Sequence, residues 1–114
     1  MTGTDPAHIR QVDVHTAARM RGDGAILLDV REDDEWAAGH ANGATHVPLS
    51  KLDPAGLPAG GTIVALCRSG NRSAKAAVVL AEAGFDVVNV TGGMKAWHQA
   101  GLPVATDQGK VGTV

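Results

Sequence analysis

Short apolar runs alternate with helical stretches along this chain, and that alternation limits its fold more than any other feature. Residues 25–28 (Ala-Ile-Leu-Leu), 62–66 (Thr-Ile-Val-Ala-Leu) and 87–90 (Val-Val-Asn-Val) are almost continuously apolar. A strand that is apolar at nearly every position is buried on both faces, the habit of a parallel sheet covered by helices. Residues 9–12 predict a first, shorter strand. Asp13 then offers an N-cap to a helix over 14–21, with Val14, Ala17 and Ala18 at helical spacing. Gly22-Asp23-Gly24 is a turn, and residues 32–38 form a short acidic helix closed by Gly39. Residues 45–47 predict a brief strand stopped by Pro48. Pro54, Pro58 and their neighbouring glycines make 49–61 a loop, with one helical turn expected in it. Residues 73–83 read as a helix with Ala74, Ala77, Val78 and Ala81 on one face and Gly84 just past its end. Gly92-Gly93 turns the chain into a last helix over 94–100, closed by Gly101 and Pro103. The expectation is an α/β fold with helices on both faces of the sheet.

A chain of 114 residues with 44% hydrophobic content fills one domain, placed here at residues 1–105. Residues 106–114 show no period and predict a mobile tail. Only Trp36, Phe85 and Trp97 are aromatic, so aliphatic residues must build the core. A net charge of −2 gives no field for nucleic acid or an anionic membrane, and no nucleic-acid or membrane partner is expected. No apolar run reaches the roughly 18 residues of a membrane span, and no secretory leader is legible at the N-terminus. One cysteine cannot form an intrachain disulfide, which agrees with a reducing compartment, and a cytoplasmic location is expected.

That cysteine, Cys67, directly follows the 62–66 run and opens the loop Cys67-Arg68-Ser69-Gly70-Asn71-Arg72 before the 73–83 helix. A thiol there faces free backbone N–H groups and the positive end of a helix dipole. Arg68 and Arg72 add positive charge. Such surroundings favour the thiolate, the nucleophilic form. In open parallel sheets, sites form outside the carboxyl ends of strands, and both Asp29 and Cys67 fall at such ends.

Taken together, these residues resemble the single-domain rhodanese (thiosulfate sulfurtransferase) family. The likeness is carried by Leu28-Asp29-Val30-Arg31, Glu35-Trp36, Gly39-His40 and Gly43-Ala44. It continues through Cys67-Arg68-Ser69-Gly70-Asn71-Arg72-Ser73, Ala83-Gly84-Phe85, Gly92-Gly93-Met94, Trp97 and Gly101-Leu102-Pro103. Order and spacing agree over residues 12–104. The resemblance implies a rhodanese-like fold, a five-stranded, mainly parallel sheet flanked by helices. It also implies that Cys67 carries a persulfide between two half-reactions. Two departures stand out: Ala41-Asn42 where the family often has Ile-Pro, and Leu66 where Tyr, Phe or His is frequent before the cysteine.

Elementary chemistry points the same way. Thiosulfate is a small dianion, and a ring of backbone N–H groups binds such anions without bulky side chains. Gly70 lets the loop turn tightly. Thiolate attack on a sulfur–sulfur bond is the displacement of thiol–disulfide exchange. Arg68, Ser69, Gly70, Asn71 and Arg72 are therefore the expected substrate-binding residues around Cys67, with Ser69 and Asn71 shaping the loop. Asp29, Arg31 and Ser73 are expected to support it, with a structural ion pair the plainer reading of Asp29 and Arg31. Dual-specificity cysteine phosphatases and related arsenate reductases place Arg six positions after Cys. Here that position is Ser73, and the shorter loop suits sulfur better than a phosphoryl group.

The five histidines show no metal-ligand spacing, and neither a metal nor a cofactor is expected. His40 is read as bridging backbone groups, Trp36 and Trp97 as packing residues, and the charges from Arg31 to Glu35 as a solvated helix start. The expected function is transfer of sulfur from a small anionic donor such as thiosulfate. Cyanide, a thiol, a thioredoxin-like protein or a protein cysteine would be the acceptor. A persulfide carrier between protein partners and a non-catalytic binding module are the alternatives.

Overall fold

The computed structural model describes residues 8–114. Among these, the elements run β1 (Arg10–Val12), α1 (Val14–Gly22), β2 (Ile26–Asp29), α2 (Asp33–Ala38), β3 (His40–Ala41) and β4 (Thr45–His46). They continue with β5 (Thr62–Leu66), α3 (Asn71–Glu82), β6 (Asp86–Val90), α4 (Gly93–Gln99) and β7 (Val104–Ala105). Two short 3-10 turns, Leu49–Lys51 and Pro54–Gly56, occupy the proline-rich loop. Five strands form one parallel sheet in the order β1-β6-β5-β2-β4. This is the α/β architecture that the apolar runs predict. No helix among the described residues is long and apolar enough to cross a membrane.

Strand alternation divides the core between the two faces of the sheet. Leu27, Val64, Leu66, Val88 and Val90 point to one side, where they meet Ala17 of α1 and Met94 and Trp97 of α4. Leu28, Ile63, Ala65 and Val87 point to the other side and meet Ala76, Ala77 and Leu80 of α3. Each fully buried Val, Leu or Ile contributes roughly 1.5–3 kcal/mol by leaving water. Cys67, one step past β5, continues the Ile63–Ala65 alternation and so faces α3.

Local signals set the helix starts. The Asp13 carboxylate accepts the Thr16 N–H at 2.7 Å, capping α1. α3 begins at Asn71, two residues earlier than the alanine pattern predicts. Gly70 (φ +106°) completes the turn out of the loop in a single left-handed residue, so the helix starts at once.

Two further features differ from the sequence expectation, beside the second 3-10 turn in the proline-rich loop. His40–Ala41 and Val104–Ala105 form a small antiparallel ribbon, too short to leave a period. Residues 106–114, expected as a mobile tail, fold back instead. The Gly112 N–H bonds the Val104 carbonyl and the Thr113 N–H the Ala38 carbonyl, each at 2.9 Å. Asp107 pairs with His40 at 3.0 Å, and Val114 packs against the core. The holding contacts are mostly backbone-to-backbone, which no side-chain pattern announces.

Candidate active site

β5 delivers Cys67 to the carboxyl edge of the sheet, and only three residues separate it from α3. Within that short turn the Gly70 N–H donates to Cys67 Sγ at 3.0 Å and the Ser73 hydroxyl donates at 3.3 Å. The loop's carbonyls are drawn the other way. The Cys67 carbonyl accepts the Met94 N–H at 2.7 Å, and the Arg68 carbonyl accepts the Lys95 N–H at 2.9 Å. These bonds satisfy first-turn donors of α4 that would otherwise lack partners. In a trans peptide the N–H points opposite its carbonyl, so drawing these carbonyls outward turns the following loop amides inward. Gly93 makes the close approach possible, since a methyl there would run into the Cys67 carbonyl oxygen.

Cys67 is only 1% exposed. Burial pushes its thiol up. The Ser73 hydroxyl and the backbone amides of Ser73, Gly70 and Ser69 stabilise the anion and outweigh that push, leaving the thiol below its ordinary value. Arg68, Ser69 and Asn71 lie exposed around the sulfur-bearing turn, while Gly70 and Ser73 are buried. The result is a buried sulfur, its anionic form stabilised by the turn's own donors, beneath a rim of polar loop residues. That arrangement can present a nucleophile to a small anion.

A rhodanese-like domain family model matches residues 13–100. The chain belongs to the rhodanese-like domain family. It is 32% identical over 108 residues to a thiosulfate sulfurtransferase GlpE of Pseudomonas entomophila, a match covering 90% of this chain and 96% of that one. It is 45% identical over 84 residues to an uncharacterized protein of Synechocystis sp., covering 71% of this chain but only 47% of that relative. Among solved structures, a rhodanese-related protein from Thermoplasma volcanium superposes with a TM-score of 0.80 at 29% identity, covering 86% of this chain and 99% of that one.

Within this rhodanese-like site, Arg72 lies near the sulfur with its charge already paired. Its guanidinium makes a two-point ion pair with Glu35 of α2, at 2.6 and 2.8 Å. The Arg72 hydrogen bond holds the Glu35 carboxyl down at about 2, and Glu35 in turn raises Arg72. Arg72 thus ties the first turn of α3 to α2 beside the sulfur. Glu35 was legible as part of the family likeness and of a solvated helix start, not as a partner of Arg72. Its Oε1 also accepts the Glu32 N–H at 3.1 Å, and a Glu at this position of a helix start was the available signal.

Asp29 and Arg31 form a fully buried ion pair, with Arg31 Nη2 2.8 Å from Asp29 Oδ2. Arg31 Nη2 also reaches the Gly39 carbonyl at 2.8 Å, and Asp29 Oδ1 accepts the Arg31 N–H at 3.0 Å. This pair braces the turn after β2, the structural reading of the two residues. His40 was read as bridging backbone groups; it instead links one backbone group to a side chain, donating from Nδ1 to the Trp36 carbonyl at 2.8 Å and meeting Asp107 at Nε2. Trp36 stacks on His40 and on His46, with ring centroids 3.6 and 4.7 Å away. Trp97 is a core residue whose indole N–H bonds the Pro103 carbonyl at 3.0 Å. Sequence reasoning passed over Asn89, whose carboxamide reaches Gly70 from β6. Its only trace was a polar residue inside an apolar run.

Proposed function

We propose that this rhodanese-like protein moves sulfane sulfur from thiosulfate, or a similar small anionic donor, to a thiophilic acceptor through a Cys67 persulfide. The Cys67 thiolate attacks the outer sulfur of thiosulfate. A new sulfur–sulfur bond forms on Cys67, the old one breaks, and its electron pair leaves with sulfite. Cyanide then takes the terminal sulfur as thiocyanate and returns the thiolate. A thiol acceptor takes the same sulfur as its own persulfide. The observation that carries this reading is the Cys67 sulfur held by the Gly70 amide and the Ser73 hydroxyl. The same donors suit the anionic persulfide. Arg68, Ser69 and Asn71 form the rim that meets the donor, and Arg72 acts there through its pairing with Glu35.

Intact-protein mass spectrometry after thiosulfate treatment tests the reading. A gain of one sulfur, removed by cyanide and absent in Cys67→Ser, is expected, and no gain in the wild type would overturn it. Loading from a protein persulfide but not from thiosulfate would assign the carrier role instead.

A further inference from the structure

A carboxamide is out of place where Asn89 sits. It lies in β6 between Val88 and Val90, in register with Ala65 of β5 and Gln11 of β1, and is 3% exposed. Both donors of its Nδ2 are used: one goes to Gln11 Oε1 at 3.0 Å and the other to the Gly70 carbonyl at 3.1 Å. A carbonyl can only accept, so the orientation of this amide is fixed by chemistry. Its Oδ1 is buried without a hydrogen-bond partner. An unpaired buried oxygen is a cost that a valine here would not carry. What the carboxamide supplies in return is its donation to Gly70.

Gly70 is gripped from both sides. Its N–H lies on Cys67 Sγ, while its carbonyl receives Asn89 and also the Ala74 N–H at 3.2 Å, the opening bond of α3. It stands in the left-handed region, which lets the peptide groups on either side rotate toward alternative turns at little steric cost. A glycine with that freedom does not keep its N–H aimed at one atom unless something fixes the other end. The Ala74 bond anchors Gly70 along the helix axis. Asn89 anchors it from the sheet, the rigid side.

We propose that Asn89 is the positioning residue of the Cys67 cradle, its buried carboxamide holding the Gly70 carbonyl so that the Gly70 N–H stays on the sulfur. The donor is in place before any charge develops there, which is the preorganisation that makes such dipoles effective. The inference deepens the proposed sulfur-transfer role. Its test uses no sulfur donor.

The test follows the pH dependence of Cys67 alkylation by iodoacetamide in the wild type, Asn89→Leu and Asn89→Asp, with circular dichroism and thermal melting on each. Leu removes the donor without adding charge. Asp keeps the shape and turns an acceptor toward the Gly70 carbonyl. In folded variants the alkylation midpoint should rise by about one pH unit, a tenfold loss of thiolate fraction below it. Gln11→Leu, which cuts only the other Nδ2 contact, should leave the midpoint in place. An unchanged midpoint in either folded Asn89 variant would overturn the proposal. So would loss of the fold in both, which would make Asn89 a folding residue. A wild type that gains no sulfur from thiosulfate would sink the proposed function and leave these midpoints standing.

Discussion

Ser73→Ala separates the electrostatic account of Cys67 from a purely steric one, because it predicts a change of sign with pH. The Ser73 hydroxyl lies 3.3 Å from Sγ, an ordinary separation for a hydrogen bond to the large sulfur atom. Bonds to charged groups are worth roughly 1.5–3 kcal/mol, and sulfur is a weak acceptor, which places this one at the low end, about one pH unit. Removing the hydroxyl should move the thiol midpoint up by that amount. Below both midpoints the thiolate fraction then falls about tenfold. The more basic thiolate is intrinsically about threefold more reactive at a Brønsted slope near 0.45. The net rate below both midpoints should therefore drop about three- to fourfold. Above both midpoints the variant should overtake the wild type by about threefold. Stability follows the same linkage. A thiol lowered in the folded state contributes stability that is complete above its unfolded value and disappears as pH falls through the folded one. The destabilisation of Ser73→Ala should accordingly grow as pH rises through the folded midpoints of wild type and variant. Stopped-flow alkylation across pH, with chemical denaturation at two pH values, measures both. A rate depressed equally at every pH would refute the electrostatic reasoning.

Glu35→Gln removes the carboxylate paired with Arg72. Both partners are partly exposed, so the loss should be about 1 kcal/mol. The Glu35 carboxyl is held down at about 2, so this contribution is present above the unfolded value and lost as pH falls through 2. The gap between wild type and variant, measured by denaturation, should be flat above about pH 5 and close in strong acid. The burial of Cys67 predicts discrimination by size: iodoacetamide should label it at least tenfold faster than a bulky aryl maleimide, relative to their rates with a free thiol. Equal relative rates would place the sulfur in open solvent. Deleting residues 106–114 should lower the melting temperature by several degrees, because it strips the backbone bonds to Val104 and Ala38.

What the sequence disclosed and what it withheld have one physical source. Ala25 to Leu28 and Thr62 to Leu66 announce buried parallel strands because both faces of a strand contribute to the pattern. Cys67 announces a site because it stands where a strand end meets a helix start. Arg72 was legible as a charge near the sulfur but not as the partner of Glu35, 37 residues away, because only the fold brings α2 and α3 together. Asn89 looked like a blemish in a valine run, since its partner is a backbone carbonyl 19 residues back. The β3–β7 ribbon and the fold-back of residues 106–114 rest largely on main-chain bonds, which carry no signature in residue type.

The short helix α2 is seized at both ends. Thr113 grips the Ala38 carbonyl near its last turn, while Glu35 in its first turn grips Arg72. One six-residue helix therefore lies between the fold-back of residues 106–114 and the doorstep of the sulfur. Disturbances at the C-terminal extremity should thus be felt as a shift in that guanidinium, a mechanical coupling that needs no direct contact between the two.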